Sequence, residues 1–290
     1  MPLSTSSSSI RKSVLVTLAL TGVYICVMQF TRPEIVFSQN QYQSNIIFAQ
    51  DFLYLEPKPS QVIVGSSMST RLKFKRRDHI YNLAFGGGGP LTGLELIRRS
   101  AFVPGVIYIE SNIFAMDSDE AFLERLFVPL LFELRRELVA FREKYQLLTV
   151  AGNLIYRFAG RSREEKLNRK VDKKLLDKLV KSALESADRF EIEKNEKLLE
   201  HWHRIIDYFS AKGTKLLFFE MPNDSRLSGS RGRERVRRWI RSAFPDIPYI
   251  AAYNRLDNYK TTDGIHLTPG SADAFTEYFR KAIAAGSVTK

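Results

Sequence analysis

The longest apolar run in the chain comes first. From Ser13 to Thr31 no side chain is charged, and Val14, Leu15, Val16, Leu18, Leu20, Val23, Ile25, Val27, Met28 and Phe30 crowd the segment. At a helical rise of about 1.5 Å per residue, about 19 residues just cross a hydrocarbon core of about 30 Å. After residue 60 the pattern changes to short apolar runs separated by helical periodicity, the signature of a parallel sheet built from strand–helix–strand units. The runs are Gln61–Val64 before Gly65, Ile80–Phe85 before four glycines, Val106–Glu110 after Pro104-Gly105, Lys215–Glu220 after Lys212-Gly213, and a shorter fifth from Ile247 to Ala252. Their side chains are apolar almost without alternation, which fits strands covered on both faces.

Between the third and fourth runs, roughly residues 115–210, no strand signal occurs. Residues 161–200 hold 12 Lys/Arg and 10 Asp/Glu around Leu167, Val171, Leu175, Leu176, Leu179, Val180 and Leu184 at helical spacing. This predicts an amphipathic helical insertion, solvated on the flank of the sheet or paired with another chain. Thr268-Pro269 then signals a helix start, with Phe275, Tyr278, Phe279 and Ala282 as its core face.

Topology follows from the first run. Arg11-Lys12 precede it, favouring a cytoplasmic tail over residues 1–12 and a translocated C-terminal domain. Bulky residues occupy the end of the run where a signal peptidase needs small ones, so residues 13–31 are read as an uncleaved signal anchor. Residues 32–60 are a linker and leading helix, and 61–290 a domain lying outside the cytoplasm, periplasmic where a cell has two membranes. The expected location is thus the inner (cytoplasmic) membrane, single-pass.

Composition narrows the class. With 44% hydrophobic and 26% charged residues, 16 Gly and 11 Pro among 290, the chain is neither disordered, collagen-like nor a multi-span membrane protein. A single cysteine, Cys26, excludes an intramolecular disulfide framework and a cysteine-based zinc cluster. The net charge of +12 invites an anionic partner, but a translocated domain never meets the genome, so nucleic acid is set aside. The excess is concentrated: +4 in residues 71–78 and +5 in residues 223–241, the latter including Arg226, Arg231 and Arg233. That second cluster follows the fourth strand and is a candidate contact for an anionic polymer or lipid head group. A merely solubilising face is the alternative.

Chemistry belongs at the carboxyl edge of such a sheet. Gly65-Ser66-Ser67 follows the first strand, Gly86–Gly89 the second and Ser111-Asn112 the third, while Asp263-Gly264-Ile265-His266 precedes the last helix. A serine hydroxyl needs a base, and that base needs an orienting carboxylate; all three are available here. The glycine run lacks the Lys-Ser/Thr of a phosphate loop and the spaced glycines of a dinucleotide site. His201 and His203, two apart on a helix, diverge and make a poor metal pair, so neither metal nor cofactor is called for.

In this order and over residues 61–270 the chain resembles the SGNH, or GDSL-type, hydrolases. Their Gly-Asp-Ser block resembles Gly65-Ser66-Ser67, their second-block glycine Gly87 (or its neighbour Gly86), their third block Glu110-Ser111-Asn112, and their Asp-x-x-His is matched by Asp263 and His266. Ser66 and Glu110 depart from the pattern, standing where the family has Asp and Gly. The resemblance implies a flavodoxin-like three-layer sandwich and ester chemistry. Ser67 would be the nucleophile, His266 the base, Asp263 its orienter, and the Ser67 and Gly87 amides with the Asn112 side chain the oxyanion donors. Membrane-anchored relatives handle acyl groups on envelope polymers, which implies an extracytoplasmic serine O-acyltransferase or esterase acting on O-acetyl groups of a polysaccharide. A membrane acyl-donor protein is then a further partner. The competing expectation is a non-catalytic, membrane-tethered module that binds a polymer or partner.

Overall fold

A computed structural model describes residues 7–159, 172–189, 196–250 and 259–289. The insertion positions Leu167 and Val171, and Ala251 and Ala252 of the fifth run, lie outside them. The chain divides into two compact units, one formed by Met1–Tyr54 with Glu124–Arg161 and the other by Leu55–Leu123 with Ser162–Lys290.

The first unit opens with α1 (Ser7–Thr31), whose span Ser9–Thr31 is long and apolar enough to cross a membrane, with mean hydropathy 1.9. Helix α2 (Gln41–Leu53) follows, capped by the Asn40 side chain, which accepts from the Gln43 amide. In the second unit come β1 (Gln61–Gly65), β2 (Ile80–Ala84), α3 (Pro90–Arg99) and β3 (Val106–Glu110). The chain then runs through α4 (Glu120–Leu126), α5 (Pro129–Glu137) and α6 (Leu147–Phe158), the last two belonging to the first unit. It returns to the second unit as α7 (Lys173–Arg189), α8 (Glu196–Ala211), β4 (Lys215–Phe219), α9 (Ser225–Ser228), α10 (Arg231–Ala243), β5 (Tyr249–Ile250), α11 (Pro269–Ala284) and β6 (Val288–Thr289). The helical stretch between β3 and β4 is therefore shared between the units rather than forming one body on the sheet's flank.

The sheet has the order β2-β1-β3-β4-β5-β6. The first five strands are parallel, and β6, which the sequence did not announce, pairs antiparallel with β5. From β1 the chain steps outward to β2, then crosses back to β3 on the other side, so the carboxyl ends of β1 and β3 flank the point where the winding reverses. Alternate strand residues face opposite ways. Ile63, Tyr108, Leu217 and Phe219 join Phe275, Phe279 and Ala282 of α11 in one buried cluster. Val64 instead meets α3, where a Cβ on Gly93 would sit 2.8 Å from the valine, so only glycine allows that approach. As expected, α11 starts at Thr268-Pro269, and Phe275, Phe279 and Ala282 are its buried face, joined by Ala272 and Thr276.

Candidate active site

Ser67 sits in the turn that leaves β1, ahead of a three-residue 3-10 helix, Ser69–Arg71, rather than at the head of a longer helix. Several hydrogen bonds fix that turn. The Met68 amide donates to Ser66 Oγ at 3.2 Å, Thr70 Oγ1 to the Ser67 carbonyl at 2.7 Å, and Asn82 Nδ2 to the carbonyls of Ser69 and Leu72 at 2.6 and 3.0 Å. Beneath it lies Glu110, the last residue of β3, fully buried. Its carboxyl accepts from the Ser66 amide and Ser66 Oγ, each at 2.8 Å, and from Ser69 Oγ at 2.5 Å. The two departures from the family pattern, Ser66 and Glu110, are thus partners of one another. Gly65 makes room for them, since a Cβ there would lie 2.6 Å from Glu110 Oε2. Burial pushes the Glu110 carboxyl above its usual pKa, against the opposing pull of its three serine hydrogen bonds.

Asp263 and His266 come from the loop before α11. Gly264, at φ +88°, turns the chain in a conformation that favours glycine, and a side chain there would strike Val180 of α7 at 2.5 Å. Asp263 Oδ1 accepts from the amides of Ile265 and His266 at 3.0 and 2.8 Å, while Oδ2 meets His266 Nδ1 at 2.7 Å. Burial opposes its charge, but these bonds from the His266 ring and from the backbone outweigh it, and the carboxyl is held down at about 2. An ionised carboxylate only accepts, so Nδ1 donates, and it is the neutral tautomer protonated at Nδ1 that presents a lone pair on Nε2. That nitrogen is 2.8 Å from Ser67 Oγ. Residues 199 positions apart thus form a continuous Asp263–His266–Ser67 chain of hydrogen bonds.

The remaining candidates divide. Gly87 lies in the turn after β2 at φ +69°. Among the described residues, no acceptor takes the amide hydrogen of Ser67 or of Gly87. Asn112 follows β3 and clasps Met221: its Nδ2 donates to the Met221 carbonyl at 3.0 Å and its Oδ1 accepts the Met221 amide at 2.7 Å, leaving one Nδ2 hydrogen over. Arg233 is buried and turned inward, donating to Glu220 Oε1 at 2.8 Å and to the Ser111 carbonyl at 3.0 Å. It ties the ends of β3 and β4 together rather than facing solvent. Despite strong burial, Arg233 and Arg237 hold the Glu220 carboxyl below its usual pKa. Arg226 pairs with Asp224 and Asp177, and Arg231 is exposed at the start of α10. Much of the second basic cluster is therefore matched by carboxylates.

Sequence reasoning did not assign Glu110 and Asn82 their part in seating the Ser67 turn. The available signal was a lone carboxylate ending an apolar strand opposite a serine-rich turn. Compared with known proteins, the chain matches no family model, no curated protein and no solved structure.

Proposed function

We propose that the second unit is a serine acyl-transfer enzyme, with Ser67 as nucleophile, His266 as general base and then acid, and Asp263 as the group that orients the imidazole. The observation that carries this reading is the hydrogen-bond chain Asp263–His266–Ser67, with contacts of 2.7 and 2.8 Å. As Ser67 Oγ attacks an ester carbonyl, its proton passes to His266 Nε2, and Asp263 stabilises the imidazolium that results. Collapse of the tetrahedral intermediate breaks the ester C–O bond, and the imidazolium returns its proton to the departing alcohol. A second hydroxyl, from water or a sugar, then takes the acyl group from Ser67 by the same steps in reverse. The unengaged amides of Ser67 and Gly87 and the spare Asn112 Nδ2 hydrogen are the oxyanion donors in this reading, each worth about 3–4 kcal/mol in the transition state.

The particular enzyme the features favour is a membrane-anchored O-acyltransferase or esterase of the SGNH kind, acting on O-acetyl groups of a cell-envelope polysaccharide. The strand order 2-1-3-4-5 supports the flavodoxin-like arrangement, α1 supports a membrane anchor, and Arg11-Lys12 ahead of it favour a site outside the cytoplasm. To test it, the full chain in detergent is given an activated acetyl ester with and without deacetylated polysaccharides. Ser67-dependent release of acetate, or its transfer to sugar, is expected. Turnover equal to that of Ser67→Ala would overturn the reading in favour of a binding module.

A further inference from the structure

Helix α6 (Leu147–Phe158) is built inside out. Leu147, Leu148, Ala151, Leu154, Ile155 and Phe158 fall at i, i+1, i+4, i+7, i+8 and i+11, one continuous stripe. All are exposed, Leu148 at 75%, Ile155 at 69% and Phe158 at 90%. The buried positions on the opposite side are polar: Thr149 at 0% and Asn153 at 4%. A helix in water places these classes the other way round, so the outward stripe is made for an apolar surrounding.

The first unit also says which surrounding. Asn153 accepts the Val36 amide at 3.0 Å and donates to the Glu34 carbonyl at 3.3 Å, and Arg157 donates to the same carbonyl at 3.1 Å. A Cβ on Gly152 would strike the Phe37 ring at 2.3 Å, so the chain lies directly on the helix there. Residues 34–37 follow the end of α1 at Thr31 within a few positions, and at about 3.5 Å per residue they reach at most about 20 Å from it. The two helices also share a core: Val150 of α6 packs with Met28 and Tyr24 of α1, Ile35, Val139 and Tyr145, and Tyr24 Oη donates to the Tyr145 carbonyl at 2.5 Å. Helix α6 is thus clamped to the last two turns of the apolar helix, beside its C-terminal end.

We propose that α6 is a second membrane contact, lying in the lipid interface with its Leu147-to-Phe158 stripe among the upper acyl chains. The proposal rests on reading α1 as a transmembrane anchor. The occupant is lipid because the stripe borders the anchor itself and needs no chain other than this one to cover it.

The test uses the full chain reconstituted in phosphatidylcholine–phosphatidylglycerol vesicles. An environment-sensitive fluorophore is placed on native Cys26, on Ile155→Cys in a Cys26→Ser background, or on Lys197→Cys in the same background; Lys197 is exposed on α8 in the other unit. Nitroxide lipids labelled near the head group should quench the position-155 probe severalfold more than the position-197 probe, and aqueous iodide should do the opposite. Iodide reaching position 155 as freely as position 197 would overturn the proposal. Shielding of position 155 from both quenchers would overturn it too, because a second copy of the chain would then be the occupant. If nitroxides on the lipid acyl chains, whatever their depth, quench the Cys26 probe no more than the position-197 probe, the anchor itself fails and the proposal with it, a result distinct from loss at position 155 alone.

Discussion

Two histidines of the second unit sit in chains of hydrogen bonds that look alike and differ in one partner. His266 lies between a carboxylate and a hydroxyl, Asp263 and Ser67. His201 lies between two carboxylates, with Nδ1 2.7 Å from Asp117 Oδ1 and Nε2 2.9 Å from Glu95 Oε1. The Glu95 bond raises the His201 pKa; burial opposes it, and the Asp117 bond adds to it. Glu95 in turn is held at about 2, burial being outweighed by its bonds to His201 and Arg98. Both nitrogens of His201 face carboxylate oxygens, which favours the doubly protonated ring, and in that form it has no lone pair to offer. At His266 the second carboxylate is replaced by a hydroxyl that carries its own proton, the one difference on which the proposed role of His266 as a base rests. The exposures agree: the His266 side chain is 24% exposed and that of His201 only 11%.

The largest expected effects break the His266 side of this comparison. Ser67→Ala and His266→Ala should each lower kcat/KM by about a thousandfold or more, and the double variant should be little worse than the poorer single, because the residues act as one unit. Asp263→Ala should fall in the same range with its KM little changed. Ser66→Ala should keep most of its turnover, since Ser66 Oγ is bonded to Glu110 and the Met68 amide rather than to the imidazole. Steady-state kinetics on an activated ester check all five variants.

Glu110 comes next. Glu110→Ala leaves a cavity and three stranded donors under the Ser67 turn, and should cost about 2–4 kcal/mol of stability. The pH dependence has a definite sign. Because the folded pKa is raised, this stabilisation is fully present below the unfolded value of about 4.5 and is lost as pH rises through the folded value. Glu110→Gln should therefore flatten the decline of Tm with pH in that window.

The His201 side should show up in stability and not in chemistry. His201→Gln should cost about 1–3 kcal/mol, measured as a lower Tm, with kcat per folded molecule unchanged. Its contribution is present below about 6.5 and fades as pH rises through the raised folded pKa, so mutant and parent should converge at alkaline pH. Smallest of all, Arg226→Ala removes an exposed guanidinium and its ion pairs with Asp224 and Asp177, and should change stability by less than about 1 kcal/mol, read as a small shift in Tm. A marked rise in KM for an anionic polymer, with Tm unchanged, would instead show that Arg226 contacts substrate.

The comparison also marks what a sequence reveals. Asp263 and His266 are three apart, so their pairing is local and legible, and short apolar runs bounded by Gly, Ser or Pro announced β1 to β4 at nearly their observed bounds. Glu110 read as a departure because its meaning is tertiary: only the adjacency of β1 and β3 puts its carboxyl under Ser66. Arg233 read as surface charge because composition cannot tell a solvated guanidinium from one bonded to Glu220 and a carbonyl. Strand β6, two residues long, is too short to carry a periodic signal. The outward stripe of α6 has ordinary helical spacing, and only its exposure reveals the inversion. The same holds for His201, whose two carboxylates come from positions 84 and 106 residues away.

The central claim is that Ser67, and no other serine of the turn, takes the acyl group. Brief exposure of the full chain to an activated acetyl ester, followed by acid quench, proteolysis and peptide mass spectrometry, tests it directly. The account predicts an acetyl mass on Ser67 in the parent chain, sharply diminished in His266→Ala, undiminished in His201→Gln and absent in Ser67→Ala. Acetyl found on Ser66 or Ser69, or on Ser67 in equal amount after His266→Ala, would contradict it.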